Sequence, residues 1–73
     1  MKSEIERVVQ WLQSKDETHW AEQIDLLEEV LWDLRRDNMR AAIPHVERML
    51  SEMWSRNRTA AITSGGAAVA ALR

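Results

Sequence analysis

Four tryptophans, two histidines and a run of carboxylates are the residues of this 73-residue chain that could do chemistry. The histidines, His19 and His45, are the only side chains suited to acid–base work near neutral pH. The nucleophile candidates are Ser, Thr and Lys, and no Gly-x-Ser-x-Gly elbow, phosphate-cradling loop or dinucleotide fingerprint accompanies them. His19 and Glu22 stand three apart, a spacing that places both on one side of a helix. A metal site would need further ligands, from Asp25, Glu28, Glu29 or His45, and these read more simply as solvated helix-face groups. With no cysteine, disulfides and thiolate metal sites are excluded. The expectation is a chain that is not an enzyme and has neither cofactor, metal nor small-molecule substrate.

The carboxylates suggest recognition instead. Seven acids and no base lie between Asp16 and Asp33. Residues 1–34 hold nine acids and three bases, net −6, whereas residues 35–73 hold seven arginines and three acids, net +4. The total of −2 conceals this asymmetry. Glu22, Asp25, Glu29 and Asp33 share the side of a helix away from its apolar seam. They can face a basic partner, as an inhibitor imitating nucleic acid does, or pair with the arginines of the second half. Arg35, Arg36, Arg40, Arg56 and Arg58 form the alternative site, a basic surface for nucleic acid. The acidic balance, pI near 5.6, speaks against it.

The elements that must position these groups are helical. Gly and Pro are scarce, residues 1–64 contain no glycine, and Glu, Arg, Leu and Ala abound. Ser3-Glu4-Ile5-Glu6 reads as a capping box opening a first helix over about 3–14, with Ile5, Val8, Val9 and Leu12 on one face. Asp16 or Thr18 can cap a second helix over about 18–36. Its seam is Trp20, Ile24, Leu27, Leu31 and Leu34, a heptad pattern. Leu26 and Val30 widen the apolar arc on one side and Trp32 on the other, so this helix must touch at least two neighbours.

A third helix over about 38–58 carries Met39, Ile43, Val46, Leu50 and Met53. The five-residue step from Leu34 to Met39 breaks register and predicts a turn at 36–38, capped by Asp37 or Asn38. The alternative runs the second helix on to about Ala42 and starts the third at Pro44, where proline is favoured. Ala42 to Leu50, Ala-Ile-Pro-His-Val-Glu-Arg-Met-Leu, resembles the second helix of a tetratricopeptide unit, with Arg36-Asp37 near that family's inter-helix turn. The turn glycine is absent and the Asp37–Ile43 spacing is one residue long. The resemblance therefore implies a helical hairpin and assigns no family.

The expected fold class is all-α: a short N-terminal helix and an antiparallel helical hairpin within one domain, 1–58, followed by an Ala/Gly-rich tail, 59–73. Gly65-Gly66 is expected to end any helical order there. A chain this small buries only roughly 60% of its unfolded surface. Association, as a homodimer resembling a helical bundle or by docking on a larger partner, is the expected support. Trp20 and Trp54 fall in or near the seams and read as core. Trp11 and Trp32 fall off them by roughly 110–120°. With Leu26 and Val30 they form the expected protein interface, since tryptophan is enriched in hot spots. The N-terminus lacks a signal-peptide core and no run is long enough for a membrane span, so a cytoplasmic location, or host cytoplasm for a viral gene, is expected. The expected function is a non-catalytic interaction module, an assembly or regulatory subunit or a small inhibitor.

Overall fold

The computed structural model describes residues 1–73 as four α-helices with no strand: α1 (Lys2–Gln13), α2 (Trp20–Arg36), α3 (Ile43–Trp54) and α4 (Arg58–Ala71). No helix is long and apolar enough to cross a membrane.

Helix α1 buries Ile5, Val8 and Leu12, spaced three and four apart as one helical face requires. The capping box does not form. Met1 is the N-cap, without a side-chain bond, and Ser3 lies inside the first turn. Helix α2 buries its seam residues Trp20, Ile24, Leu27, Leu31 and Leu34, together with Val30. Its N-cap is His19, again without a side-chain bond. Asp16 spends its lone pairs on the preceding loop.

Helices α2 and α3 end in the same way. Asn38 (φ 60°) follows α2 and Arg56 (φ 59°) follows α3, both left-handed. After α2, the Met39 amide donates to the Leu34 carbonyl (2.9 Å) and the Asn38 amide to Arg35 (3.2 Å). After α3, Asn57 donates to Glu52 (2.9 Å) and Arg56 to Met53 (3.1 Å). These are Schellman caps, which satisfy carbonyls the helix leaves open. The turn after Arg36 matches the register break. The start of α3 does not follow from it. Residues 38–42 are loop and turn, Ala42 is the N-cap, and Pro44 sits in the first turn of α3. There its missing N–H removes no helical bond. Neither Asp37 nor Asn38 caps α3, and α3 stops four residues short of 58 because its Schellman cap closes at Arg56.

The largest departure from expectation is the C-terminal segment. Residues 58–71 are a helix, N-capped by the Asn57 side chain accepting from the Ala60 amide at 3.2 Å. Gly65-Gly66 lies within it. Ala61, Ser64, Gly65, Ala68 and Val69 face inward, a stripe of small residues at helical spacing that lets neighbouring helices approach closely. A Cβ on Gly65 would stand 2.5 Å from Val9 Cγ2 and 3.0 Å from Met49 Cε, whereas one on Gly66 would meet nothing within 4 Å. Glycine lowers helix propensity, and the packing on α1 and α3 outweighs that here. Ser64 Oγ adds a bond to Glu52 Oε1 of α3 at 2.6 Å.

The helix backbones approach one another in the ring α1–α2, α2–α3, α3–α4 and α4–α1, most extensively around α4; across the diagonal α4 reaches α2 by a side chain, Arg58 on Trp20. Each helix thus has two neighbours, and the wide apolar arc of α2 is divided between α1 and α3. One core of 17 apolar residues fills the centre.

Candidate interaction surface

The four tryptophans divide into two pairs. Trp11 of α1 and Trp20 at the start of α2 meet edge to face, with ring centroids 4.7 Å apart and planes at 87°. The Arg58 guanidinium lies over both rings, 4.9 Å from Trp11 and 4.7 Å from Trp20, and Arg56 covers Trp20 at 4.8 Å. Such stacking is favourable electrostatically and more so when water is excluded. Arg58 also donates to the carbonyls of Leu12 (3.0 Å), Ser14 (3.2 Å) and Asp16, and to Glu17 Oε1 (3.2 Å). It therefore closes the C-terminus of α1 from α4, where cations are favoured. Trp11, expected on an outer interface, is half-buried by the chain's own residues. The helical wheel placed it off the α1 seam correctly. It could not place α4 beside it.

The loop between α1 and α2 is organised by Asp16. Its carboxylate accepts from Trp11 Nε1 (3.0 Å), the Thr18 amide (2.7 Å) and the Thr18 hydroxyl (2.7 Å), and it contacts His19 Nδ1. The Thr18 bonds first, then His19 and Trp11, hold the Asp16 carboxyl well below the usual carboxylate range. The hydrogen bond and charge of Asp16, with Glu22 behind it, push His19 above its ordinary value. Asp, His and Thr together invite comparison with a catalytic relay. A relay needs the carboxylate on one ring nitrogen and the nucleophile on the other. Here Asp16 and Thr18 both meet Nδ1, so the trio positions a loop. No group of three or more His, Asp or Glu comes together as a cation would require. His45, expected on the surface, is half-buried with its Nδ1 enclosed and without a hydrogen-bond partner.

The second pair is open. Trp32 is 69% exposed, as its position off the seam implies, and Trp54 is 64% exposed. Trp54 was expected in the core. Met53 occupies the seam position, and one further residue turns the side chain about 100° away. Both indoles lie on the same outer face of the α2/α3 pair. Arg35 of α2 and Glu47 of α3 join across that face at 2.9 Å. Trp32 precedes Arg35 by three residues and Trp54 follows Glu47 by seven, spacings that keep a residue on the same side of its helix. Because α2 and α3 run antiparallel, Trp54 stands level with Glu28, and Trp32 one turn away stands level with Leu50. The rings are on the order of 10 Å apart by helix rise and interaxial distance. Leu31 and Leu50, each nearly covered at 9% and 8%, lie at the base of this face.

None of the acidic residues of α2 pairs with an arginine of another helix. Glu22, Asp25, Glu28 and Glu29 are exposed and form no ion pair, and Asp33 pairs with Arg36 on its own helix at 3.0 Å. The only ion pair between α2 and α3 has its base on α2 and its acid on α3, the reverse of the expected arrangement. Leu26 is half-buried, and Val30, expected at an interface, is 2% exposed within the core, because α1 packs on that shoulder of α2. Among the arginines, Arg35 and Arg36 hold carboxylates, Arg36 also reaching Asp37, while Arg56 and Arg58 cover the inner tryptophans. Of these five candidate arginines only Arg40, beside Asn38 Oδ1 at 3.4 Å, is free of such ties. The alternative nucleic-acid set is not brought together as one surface.

An open groove of about 280 Å³ runs between α1 and α4, lined by Glu6, Val9, Gln10, Gly66, Val69 and Arg73. Only two of its six lining residues are hydrophobic, unlike the mostly apolar walls of a small-ligand pocket. No protein-family model, curated protein or solved structure matches the chain.

Proposed function

We propose that the chain is a non-catalytic protein-interaction module, an assembly or regulatory subunit, that docks a protein partner on the outer face of α2 and α3. One observation carries the reading: two tryptophans are 69% and 64% exposed, and their helical spacing from the Arg35–Glu47 pair sets both on the outer side of α2 and α3. The core closes without them, so they are not residues awaiting internal cover. Exposed tryptophan works against solubility, and it is the residue type most enriched where binding energy concentrates. The unpaired carboxylates of α2 border the same face and supply a polar rim. The geometry around His19, with both its neighbours on one nitrogen, supports a non-catalytic reading.

The test is affinity capture from the native source with wild-type chain and the Trp32→Ala/Trp54→Ala double variant. Both positions are exposed, so the variant should keep its melting temperature within about 0.5 kcal/mol of stability. A partner retained by wild type and lost by the variant is the expected result. Equal retention by both overturns the reading. So does salt-sensitive binding to duplex DNA that persists in the variant, which would restore the arginines to first place.

A further inference from the structure

The face around Trp32 and Trp54 has a chemistry specific enough to define its occupant. We infer that it receives an arginine-bearing helix of a partner protein, with guanidinium groups stacked on the two indoles and paired with Asp25, Glu28 and Glu29. This inference rests on the interaction reading and names the class of partner.

The first ground is how the chain treats its other tryptophans. Trp11 and Trp20 each carry an arginine guanidinium at 4.7–4.9 Å. Trp32 has only Arg35, at 5.8 Å, and that arginine is tied to Glu47 at 2.9 Å. Trp54 has no cation over its ring at all. Trp54 is thus an open acceptor for the cation that covers the inner indoles, and Trp32 carries only a more distant one already tied to a carboxylate.

The second ground is charge. Glu28, Glu29 and Asp25 precede Trp32 by four, three and seven residues, so all lie beside it on α2. Glu28 is also level with Trp54. None of the three has an ion-pair partner. A cation placed over either ring therefore finds a carboxylate within one helical turn, and stacking and pairing act on the same group. Arginine suits this better than lysine, because its planar guanidinium stacks on a ring while its edge donates to a carboxylate.

The third ground is repeat and length. Glu22, Asp25, Glu29 and Trp32 step by three, four and three along roughly 15 Å of helix. A straight helix laid beside α2 presents arginines at the same interval. A second copy of this chain is disfavoured as the occupant. Two such faces would set carboxylates against carboxylates, and like charges across an interface are penalised.

The probe is a synthetic amphipathic helical peptide with arginine at every third or fourth position, with lysine and glutamine counterparts of the same sequence. Binding to the full chain is read by anisotropy of a dye on the peptide, at low and high salt. The arginine peptide should bind tightest, the lysine peptide more weakly, and the glutamine peptide at least tenfold more weakly still. Trp32→Ala and Trp54→Ala should each weaken the arginine peptide about tenfold, and Glu28→Gln/Glu29→Gln should also weaken it and flatten its salt dependence. Equal affinity of the arginine and glutamine peptides overturns the inference, as does arginine-peptide binding indifferent to Trp32→Ala and Trp54→Ala. Sedimentation of the chain as a dimer that Trp32→Ala dissociates overturns it too, since the occupant is then a second copy. A native partner lost on Trp32→Ala/Trp54→Ala but not displaced by the arginine peptide overturns the cation assignment and leaves the interaction reading standing.

Discussion

At the loop end of α1, Trp11 and Trp20 are locked between helices by Arg56, Arg58 and Asp16. On the outer side of α2 and α3, Trp32 and Trp54 stand open among unpaired carboxylates. The same two chemistries, indole and charge, serve different ends in the two places. In the first, α4 supplies Arg58 and the turn before it Arg56, so rings, cations and carbonyl acceptors all belong to one chain and their contacts contribute to folding. In the second, the rings and the carboxylates are present, and the one cation near them, Arg35 at 5.8 Å from Trp32, comes from the same helix and is tied to Glu47. A tryptophan's role in this molecule is therefore set by whether its counterpart lies on a neighbouring helix.

The sharpest way to break this comparison is truncation at each place. Trp20→Ala should destabilise by about 3–5 kcal/mol, the range for removing a buried large aromatic. Trp32→Ala and Trp54→Ala should each change stability by less than about 0.5 kcal/mol. Urea unfolding followed by circular dichroism measures all three, and a large loss at position 32 or 54 would mean that the outer pair is structural.

Arg58→Met tests the clamp itself. It keeps most of the apolar stem and removes the cation from both rings and from the carbonyls of Leu12, Ser14 and Asp16. A loss of about 2–3 kcal/mol is expected, typical of hydrogen bonds to a charged group with acceptors left behind. Arg48→Met, on an exposed arginine with no ion pair, serves as the control and should be near neutral.

The glycine pair asks whether α4 is fixed firmly enough to supply that clamp. Gly65→Ala places a methyl 2.5 Å from Val9 Cγ2 and should destabilise by about 1–3 kcal/mol, as overpacking does. Gly66→Ala enters open space and should stabilise by up to about 1 kcal/mol through helix propensity. Thermal melts with opposite signs at adjacent positions would fix the face of α4; equal signs would contradict its packing.

The smallest effect is in the pH profile of the inner loop. Asp16 is depressed, so its contribution is present above the ordinary carboxylate value of 3.8 and is lost as pH falls through its lower folded value. His19 is raised, so its contribution is complete below the ordinary imidazole value of 6.5 and is lost as pH rises through its higher folded value. Between those two ordinary values both are in place. Proton NMR of the His19 ring should show titration above 6.5, and Asp16→Asn should return it toward that value.

Much of the helical plan was readable from residue spacing. Helix α2 and its seam follow from apolar steps of three and four, and the register break after Leu34 marks where α2 turns. The open ring of Trp32 was readable for the same reason, since a residue off the seam by more than a right angle has nowhere inward to go. Trp54 could have been read correctly too, because Met53 already fills the seam beside it. The inward small residues of α4, Ala61, Gly65 and Ala68, carry a helical period as well, but alanine and glycine give weak contrast on a hydropathy pattern.

By itself, then, the sequence determined the all-helical class, the acidic outer side of α2 and the exposure of Trp32. These depend on local propensity and on the angle between neighbours along one helix. Only the tertiary structure decided that Val30 is core, that α4 is a helix and that Trp11 is clamped, and only it placed Trp54 beside Trp32. Each of those depends on which helix lies next to which, and that depends on how closely α1 and α3 can approach the small inner face of α4. The missing Cβ of Gly65, the feature that pointed to a helix end, is what admits Val9 and Met49 and brings Arg58 within reach of the inner tryptophans.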